Sequence, residues 1–331
     1  MKWLVTGGAG FIGGNFIYRI LDMYPRDEVV CVDKLTYAGN MQTLERAKND
    51  PRFSFYKEDV ADARAMASVI GRERPDAVVN FAAESHVDRS IADPSVFVRT
   101  NVLGVQSLLE ACRKHGVARF HQVSTDEVYG EIPRGVEGMA FSERSKLNPS
   151  SPYAASKASA DLLALAWHKT YGMHVTVSRS SNNYGPYQFP EKLIPLAIVR
   201  AVKGQPIPVY GDGANVRDWL YVSDHCAAVD LIVRRGRAGE VYNVCGGEER
   251  TNLETVGAVA ALVGRGEIEF VADRPGHDFR YAADAGKLRE ELGFSPAVAF
   301  GEGIRRTVGW YLSHRDWWEN ILSGKYRKFR R

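Results

Sequence analysis

The sequence lacks the features that mark membrane and nucleic-acid-binding proteins. No apolar run approaches the ~20 residues that a membrane-spanning helix needs, so we expect no membrane partner. The net charge is only +3, which leaves no large basic surface for nucleic acid. The basic end GKYRKFRR is short and reads most simply as a solvated terminus. Short repeats and low-complexity segments are absent as well, so the composition indicates a globular protein.

Cysteine is also scarce. The four cysteines are far apart, form no Cys-x-x-Cys pair and lie in or near apolar segments: Cys31, Cys112, Cys226 and Cys245. This pattern is typical of buried free thiols, so it favours a reducing compartment and argues against a metal site. The first residues, MKWLVTGG, already have the pattern of a strand and leave no room for a signal peptide. We therefore predict a cytoplasmic protein without a metal.

The dominant pattern is an alternation of short apolar runs with longer helix-periodic segments, which is typical of a parallel sheet covered by helices. The predicted strands are Lys2–Thr6, Val29–Asp33, Phe53–Lys57, Ala77–Phe81, Phe120–Ser124 and Val175–Ser178. The predicted helices are Phe11–Met23, Thr43–Asn49, Ala61–Arg72, Pro94–His115 and Tyr153–Tyr171.

The pattern changes after about residue 180. Two segments are rich in proline, glycine and aromatic residues, as pocket-shaping loops are: NNYGPYQFPEKLIPL and GQPIPVYGDGANVRDW. A helix is predicted for YVSDHCAAVDLIVRR and a strand for GEVYNVCGG. We predict an α/β fold with a Rossmann-type doubly wound parallel sheet in residues 1–181, to which residues 217–244 return. Residues 182–331 are predicted to form a smaller, partly interleaved C-terminal substrate domain.

A glycine-rich turn, VTGGAGFIGG, follows the first strand and opens the first helix. Gly7, Gly10 and Gly13 have the spacing that lets a backbone approach a dinucleotide pyrophosphate at a helix N-terminus. Asp33 ends the second strand, where a carboxylate can bind a ribose diol and repel a 2′-phosphate; this favours NAD over NADP, and the adjacent Lys34 weakens the preference slightly. The alternative is a structural glycine turn that binds no ligand.

Tyr153 and Lys157 form a Tyr-x-x-x-Lys pair in SPYAASKASAD. On a helix this spacing puts both side chains on one face. A phenol titrates near pH ~10, so it needs a nearby ammonium and a positively charged nicotinamide to act as a base at neutral pH. The pattern alone is common on helix surfaces. Its combination with the glycine turn and VSTDE predicts a catalytic pair.

QVSTDEVYG carries Asp126 and Glu127 where the fifth predicted strand ends. They are either two solvated acids in a turn or a pair of acid/base groups that faces a pocket. Adjacent residues point to opposite sides of a strand, so both reach a pocket only if the chain bends into a helix after Thr125.

TGGAGFIG, YxxxK and RSSNNYGPYQFPEKLIPL together resemble the extended short-chain dehydrogenase/reductase superfamily. More narrowly, DKLTYAGN, AAESHVDRSI, STDEVYG, SSPYAASKASAD and DRPGHDFRYAAD are similar to the dTDP-glucose 4,6-dehydratase family, over nearly the whole chain. The resemblance implies a lyase that oxidises a nucleotide sugar at C4, removes water across C5 and C6 and returns the hydride to C6, with NAD held tightly. One departure is Phe279, where the family usually carries an arginine.

The resemblance also implies a role for each candidate catalytic residue. Tyr153 is the base for the C4 hydroxyl and Lys157 supports it electrostatically. Thr125 hydrogen-bonds the C4 oxygen, Glu127 removes the C5 proton, and Asp126 protonates the departing C6 hydroxyl. The division of the acid and base roles between Asp126 and Glu127 rests on the resemblance, since their spacing alone does not distinguish them.

The binding residues implied by the resemblance form two sets. The NAD set is Gly7, Gly10, Phe11, Ile12, Gly13, Asp33, Lys34, Thr36, Asp59, Val60, Ala82, Ala83, Ser85, Thr100, Val123, Tyr153, Lys157 and Asn182. The nucleotide-sugar set is Ser85, His86, Thr125, Asn182, Glu191, Lys192, Leu193, Pro208, Tyr210, Arg217, Asn252, Arg274, His277 and Tyr281.

A homodimer is implied as well, through the helices at Pro94–His115 and Tyr153–Tyr171. The apolar residues Val98, Val102, Leu109, Leu162 and Leu165 suit such an interface and suit packing on the sheet equally. Three alternatives for function stay open: a UDP-sugar 4,6-dehydratase, a UDP-hexose 4-epimerase and a non-catalytic NAD-binding regulator. The epimerase has no need of a paired Asp and Glu, and the regulator could dispense with all the catalytic residues.

Overall fold

The computed structural model describes residues 1–136, 138–273 and 276–330, the last three of these without their side chains. The strands in this part of the chain are β1 (Lys2–Thr6), β2 (Glu28–Val32), β3 (Phe53–Tyr56), β4 (Ala77–Asn80), β5 (Arg119–Thr125), β6 (Val175–Ser180), β7 (Asn182–Tyr184), β8 (Ile207–Tyr210), β9 (Val216–Tyr221), β10 (Glu240–Val244), β11 (Glu249–Thr251) and β12 (Ile268–Val271).

The α-helices in the same residues are α1 (Phe11–Met23), α2 (Ala63–Glu73), α3 (Val87–Ala92), α4 (Pro94–Phe97), α5 (Gly104–His115), α6 (Pro152–Tyr171), α7 (Leu193–Val202), α8 (Val222–Arg235), α9 (Asn252–Val263), α10 (Gly286–Leu292), α11 (Phe300–Ser313) and α12 (Arg315–Leu322). Shorter 3₁₀ segments lie at Met41–Leu44, Asp126–Tyr129 and Lys325–Arg330, and a π segment at Val98–Leu103.

Seven strands form one parallel sheet in the order β10-β6-β5-β4-β1-β2-β3. Helices α1 and α8 pack on one face of this sheet, and α2, α5 and α6 pack on the other. The doubly wound fold predicted from the sequence is therefore confirmed. Strand β10 and helix α8 come from the C-terminal half of the chain. The strand pairs at the edge of this sheet, and the helix packs on its face.

The remaining strands form a three-stranded sheet, β11-β9-β7, and a two-stranded sheet, β12-β8. An aromatic core joins them to α7, α9, α11 and α12 through residues such as Tyr184, Trp219 and Trp318. The segment GQPIPVYGDGANVRDW, which we predicted as loop, supplies β8 and the start of β9, because its apolar residues pair with neighbouring strands and pack in this core. Among the described residues, no helix is long and apolar enough to cross a membrane.

Two predicted helices differ from the observed structure. Thr43–Asn49 is not an α-helix: a 3₁₀ turn ends at Leu44 and irregular turns follow. One reason is that the Tyr18 hydroxyl donates to the Thr43 carbonyl, which would accept the next bond of an α-helix. The segment Pro94–His115 is helical throughout, but a π segment interrupts it at Val98–Leu103.

The π segment directs the side chain of Asn101 to the end of β4. There its amide accepts a hydrogen bond from Glu84 N at 2.9 Å and donates to Glu84 O at 3.0 Å and to Ser156 Oγ at 2.8 Å. This side chain thus fastens the loop after β4 to helix α6. The π segment, which the sequence pattern does not reveal, shapes the edge of the sheet where a site is expected.

Candidate active site

The C-terminal ends of β1, β2, β4 and β5 meet at one edge of the sheet and border a cleft with a cavity volume of about 320 Å³. This edge is where α/β folds bind their ligands. All the residues of the predicted NAD set line the cleft, together with Thr125, Asp126 and Glu127. The fold thus brings together residues that lie as far apart in the sequence as Gly7 and Asn182.

The glycine turn fits a dinucleotide. Gly7 has φ +67°, and a Cβ on it would lie 2.7 Å from Ala82 N, so the turn and the loop after β4 approach closely. A Cβ on Gly13 would lie 2.4 Å from the Gly7 carbonyl oxygen. Helix α1 begins at Phe11, and its N-terminus faces the same cleft. These are the requirements for holding a pyrophosphate against backbone N–H groups.

Asp33 is 9% exposed and is held by backbone donors: Ala9 N donates to it at 3.0 Å and Leu35 N at 2.7 Å. Its carboxylate is therefore fixed at the wall of the cleft, as a ribose contact requires. The Lys34 ammonium lies 2.6 Å from the Asp59 carboxylate, so an acid already balances its charge. The same carboxylate also lies 3.7 Å from Arg99 Nη2, so Asp59 faces two cations at this wall of the cleft.

The acid pair lies on the predicted bend. Strand β5 ends at Thr125, and the chain turns at once into the 3₁₀ segment Asp126–Tyr129, whose first turn is capped by a hydrogen bond from Glu127 N to Thr125 Oγ1 at 3.3 Å. Both acids therefore line the cleft. The solvated-turn alternative does not hold, since Asp126 is only 3% exposed and Glu127 is half-buried.

Asp126 has the properties of a proton donor. Burial, reinforced by the negative charges of Glu127 and Asp218, raises the pKa of its carboxyl well above the usual range. Its Oδ2 atom is buried and has no hydrogen-bond partner among the described residues. A protonated carboxyl with one unused oxygen in a cleft can give its proton to a leaving hydroxyl.

Tyr153 and Lys157 face the same cleft from helix α6, which Ser151 caps. The Lys157 ammonium donates to the Val123 carbonyl at 2.6 Å. Burial lowers the pKa of Lys157 to about 8, and the nearby Asp161 carboxylate opposes that effect. With this pKa, Lys157 is still mostly protonated at pH 7.

The prediction of a lowered pKa for Tyr153 concerns the protein with NAD bound and stays a prediction, whereas in the protein alone this pKa is raised. Burial and the negative charge of Glu127 raise the pKa of Tyr153 well above its usual value, and a hydrogen bond with the Thr125 hydroxyl acts in the other direction. Lys157 bonds a backbone carbonyl instead. The other influence that we invoked, the positive charge of a nicotinamide, would act to lower this pKa.

Part of the predicted nucleotide-sugar set lies on the cleft: Ser85, Thr125, Asn182, Glu191 and Lys192. The Lys192 ammonium donates to the Ser85 carbonyl at 2.9 Å, which joins the two segments. His86 does not line the cleft, but its Nε2 lies 3.7 Å from Glu191 Oε2. Leu193 begins helix α7 and packs against the aromatic core, because its side chain is apolar.

The rest of that set lies outside the cleft lining and forms a neighbouring group: Pro208, Tyr210, Arg217, Asn252, His277 and Tyr281. The rings of Tyr210 and His277 are 6.1 Å apart, and the Arg217 guanidinium lies 4.6 Å from the Tyr281 ring centroid. The raised pKa of Tyr281 has burial as its first cause and the negative charge of Glu127 as its second, so Tyr281 lies near the acid pair. Arg274 lies outside the described residues.

Arg217 is less available than we predicted. Its guanidinium donates to the backbone carbonyls of Val216, Phe279 and Asp278 at 2.7, 3.1 and 2.8 Å. At Phe279, which departs from the family pattern, the guanidinium of Arg134 lies 4.6 Å from the ring centroid. A cation is thus present beside this position, supplied by another segment.

Several cleft residues were missed by the sequence analysis, among them Tyr37, Glu84, Gln188 and Phe189. Burial raises the pKa of Glu84, although the charges of Arg89 and Lys34 oppose the shift. Glu84 directly precedes Ser85 in NFAAES, at the end of a predicted strand. The strand-end rule could therefore have found it.

Comparison with known proteins gives consistent results. The profile of the GDP-mannose 4,6 dehydratase family matches residues 4–307. The chain is 50% identical to the dTDP-glucose 4,6-dehydratase of Xanthomonas campestris pv. campestris (strain B100), over 98% of this chain and 97% of that one.

Solved structures agree with this result. The fold is similar to DesIV, a dTDP-glucose 4,6-dehydratase from Streptomyces venezuelae, with a TM-score of 0.93, 50% identity and coverage of 97% of this chain and 100% of that one. That double mutant was crystallised with NAD and a dTDP-sugar bound. The UDP-glucose 4-epimerase of Thermotoga maritima is also similar, with a TM-score of 0.88, 31% identity and coverage of 95% and 99%.

Proposed function

The chain belongs to the GDP-mannose 4,6 dehydratase family, and we propose that within it the chain acts as a dTDP-glucose 4,6-dehydratase with tightly bound NAD. It is a hydro-lyase of nucleotide-sugar metabolism that forms dTDP-4-keto-6-deoxyglucose. The observation that carries the proposal is the buried acid pair beside the Tyr-x-x-x-Lys face: Asp126 and Glu127 share one cleft with Tyr153 and Lys157. An epimerase needs only the second pair.

NAD, when bound, supplies a hydride acceptor for C4 of the hexose and the hydride donor for C6. The chain's own groups move the protons. Tyr153 takes the proton of the C4 hydroxyl, and the Thr125 hydroxyl, which already interacts with the Tyr153 phenol, holds the C4 oxygen. The charge of Lys157 stabilises the phenolate form of Tyr153 that accepts this proton.

Water is then lost across C5 and C6. The C4 ketone makes the C5 proton acidic, and Glu127, as a carboxylate, removes it. The C6 hydroxyl leaves with the proton of Asp126, whose burial favours the protonated form. The two neighbouring carboxyl groups are thus held in different protonation states, as an acid and a base in one site must be.

The direct test is product analysis with purified protein. With dTDP-glucose we expect a 4-keto-6-deoxy sugar, seen by its absorbance in alkali, and no net reduced nicotinamide. Formation of dTDP-galactose would favour an epimerase instead. UDP-glucose under identical conditions tests the alternative of a UDP-sugar dehydratase. That alternative predicts a higher kcat/KM for UDP-glucose than for dTDP-glucose.

A matched pair of variants tests the role of the Tyr-x-x-x-Lys face. Tyr153→Phe removes the phenol hydroxyl from the cleft. It should lower kcat by about 10²–10⁴-fold, the usual contribution of a general base. Tyr171→Phe, at the exposed end of the same helix, should leave kcat unchanged. Equal activity of the two variants would contradict the assigned base.

We also propose a homodimer. Val98, Leu103 and Leu162 are 51%, 49% and 59% exposed on the adjoining π segment and helix α6, whereas Leu109 is buried against the sheet. An apolar surface of this kind supports pairing with a second copy. Leu162→Arg should therefore give a monomer in sedimentation velocity, while Met23→Arg, at a similarly exposed residue of α1, should not.

A cytoplasmic location is proposed as well. Its support is that all four cysteines are free thiols in the core. Buried free thiols are common in proteins of reducing compartments. Fractionation of producing cells tests this proposal, and recovery from an extracellular or periplasmic fraction would contradict it.

A further inference from the structure

A buried ion pair lies behind the catalytic face of helix α6. Asp161 follows Lys157 by four residues and Tyr153 by eight, so the three side chains lie along one side of the helix. The Arg179 Nε atom lies 2.9 Å from Asp161 Oδ2, and the two side chains are 4% and 0% exposed. Neither residue lines the cleft, and the proposed proton transfers do not use them.

The same guanidinium also contacts the turn that carries the acid pair. Arg179 Nη1 donates to the Tyr129 hydroxyl at 3.0 Å, and the guanidinium carbon lies 4.9 Å from the Tyr129 ring centroid. Tyr129 is the last residue of the 3₁₀ segment that begins at Asp126. Arg179 therefore bridges the helix that bears the Tyr-x-x-x-Lys pair and the turn that bears the acids.

Tyr129 is itself firmly held. Its hydroxyl donates to Asn243 Oδ1 at 2.7 Å, and the Asn243 amide donates to the carbonyls of Phe141 and Asp284 at 3.0 and 3.1 Å. The Tyr129 ring also stacks on Phe141, with centroids 5.2 Å apart. A change at Arg179 is thus not absorbed by free rotation of its partner.

Stability alone is a weak reason for this arrangement, because an apolar replacement of a buried ion pair is often neutral or stabilising. Catalysis supplies a stronger reason. The proposed reaction uses the phenol at C4 and the acids at C5 and C6 of one hexose, so the two pairs must keep a fixed separation. A misplacement of ~1 Å can cost about 10²-fold in rate.

We propose that Arg179 is a positioning residue that fixes the turn carrying Asp126 and Glu127 relative to the helix carrying Tyr153 and Lys157. The proposal rests on the dehydratase function proposed above. Arg179 acts through Tyr129 on the dehydration step and through Asp161 on the hydride step, and it touches neither substrate nor cofactor.

Tyr129→Phe removes the hydroxyl that accepts from Arg179 and donates to Asn243, and it leaves the Asp161 ion pair intact. In single-turnover experiments with dTDP-glucose, nicotinamide absorbance measures hydride transfer from C4. We expect the rate of this step to be unchanged. Quenching and product analysis measure the loss of water. We expect the rate of this step to fall by about tenfold to a hundredfold. The reduced cofactor should therefore accumulate.

Asp161→Asn affects the other connection. The groups that face this region are Lys157 and Tyr153 on α6, Arg179 on β6, and the acid pair beyond Tyr153. The Asp161 carboxylate favours the charged form of Lys157, so its loss should make Lys157 lose its proton at lower pH. The alkaline limb of hydride transfer should then move to lower pH in this variant and stay unchanged in Tyr129→Phe.

A matched control is Asp230→Asn, which weakens a partly buried pair with Arg234 on α8, away from the cleft. It should change neither the ratio of the two rates nor the pH profile. If Tyr129→Phe also leaves that ratio unchanged, or slows both steps equally, the proposal is refuted, and this holds even if Asp161→Asn fails to fold. Failure of the wild-type protein to release a 4-keto-6-deoxy sugar would instead refute the proposed function.

Discussion

Replacement of Gly7 by alanine tests the close approach on which the cofactor cleft depends. Gly7 has φ +67°, and a Cβ there would lie 2.7 and 2.8 Å from the Ala82 backbone N and Cα atoms. The left-handed conformation costs an alanine about 1–2 kcal/mol. Overpacking against a backbone that cannot rotate away adds about 1–3 kcal/mol. We therefore expect Gly7→Ala to lower the free energy of unfolding by about 2–5 kcal/mol.

Gly116 provides the matched control. It has φ +68° at the C-terminal end of α5, and a Cβ there would meet nothing within 4 Å. Gly116→Ala should therefore show only the conformational cost of about 1–2 kcal/mol. Urea denaturation followed by circular dichroism measures both variants, and titration with NAD should show weakened binding for Gly7→Ala alone. Equal stability and equal NAD affinity of the two variants would refute the reasoning.

Three further predictions concern Glu127, the buried histidine His121 and the N-terminal cap of helix α9. Glu127→Gln should still reduce the bound cofactor in a single turnover yet release at least about 10²-fold less product, and normal turnover would exclude Glu127 as the C5 base. Burial lowers the pKa of His121 to about 3, so His121 should destabilise the fold as the pH falls from about 6.5 towards 3; His121→Gln should flatten the acid limb of a thermal-melting profile. Thr251→Ala removes the capping box of α9 and should cost about 1 kcal/mol in urea denaturation, while Thr251→Ser should cost less.

The sequence determined much of the fold because local signals agreed with the tertiary structure. The bounds of β1 and α1 match the prediction at every residue, since the glycine turn separates a short, mainly apolar run from a helix-periodic one. The predicted helix Thr43–Asn49 was wrong, and one reason is that the hydroxyl of the distant residue Tyr18 donates a hydrogen bond to the Thr43 carbonyl. Strand β8 was hidden by the proline in IPVY, and the apolar packing that stabilises it comes from distant segments.

The candidate site divides in the same way. Residues at strand ends, such as Asp33 and Thr125, follow from the rule that parallel strands present their C-terminal ends at one edge, and they line the cleft. The substrate residues beyond β8 came only from family resemblance, and those that the structure describes lie outside the cleft lining. The bridge formed by Arg179 was not predictable, since its partners Asp161 and Tyr129 are 18 and 50 residues away in the chain.

The pKa of Tyr153 also depends on features that a motif does not contain. The spacing to Lys157 predicts one helical face, which the structure has. It does not show that the ammonium bonds the Val123 carbonyl, or that burial and the charge of Glu127 raise the pKa of the phenol. The division between two domains likewise stays a prediction.

The central claim is that one hydride leaves C4 and returns to C6 of the same sugar while carboxyl groups manage the loss of water. The most direct measurement uses dTDP-glucose labelled with deuterium at C4, with NMR or mass spectrometry of the product. We predict that the label appears at C6, and that a parallel reaction in D₂O places solvent deuterium at C5. Label lost to solvent, or retained at C4 of a galactose epimer, would contradict the account.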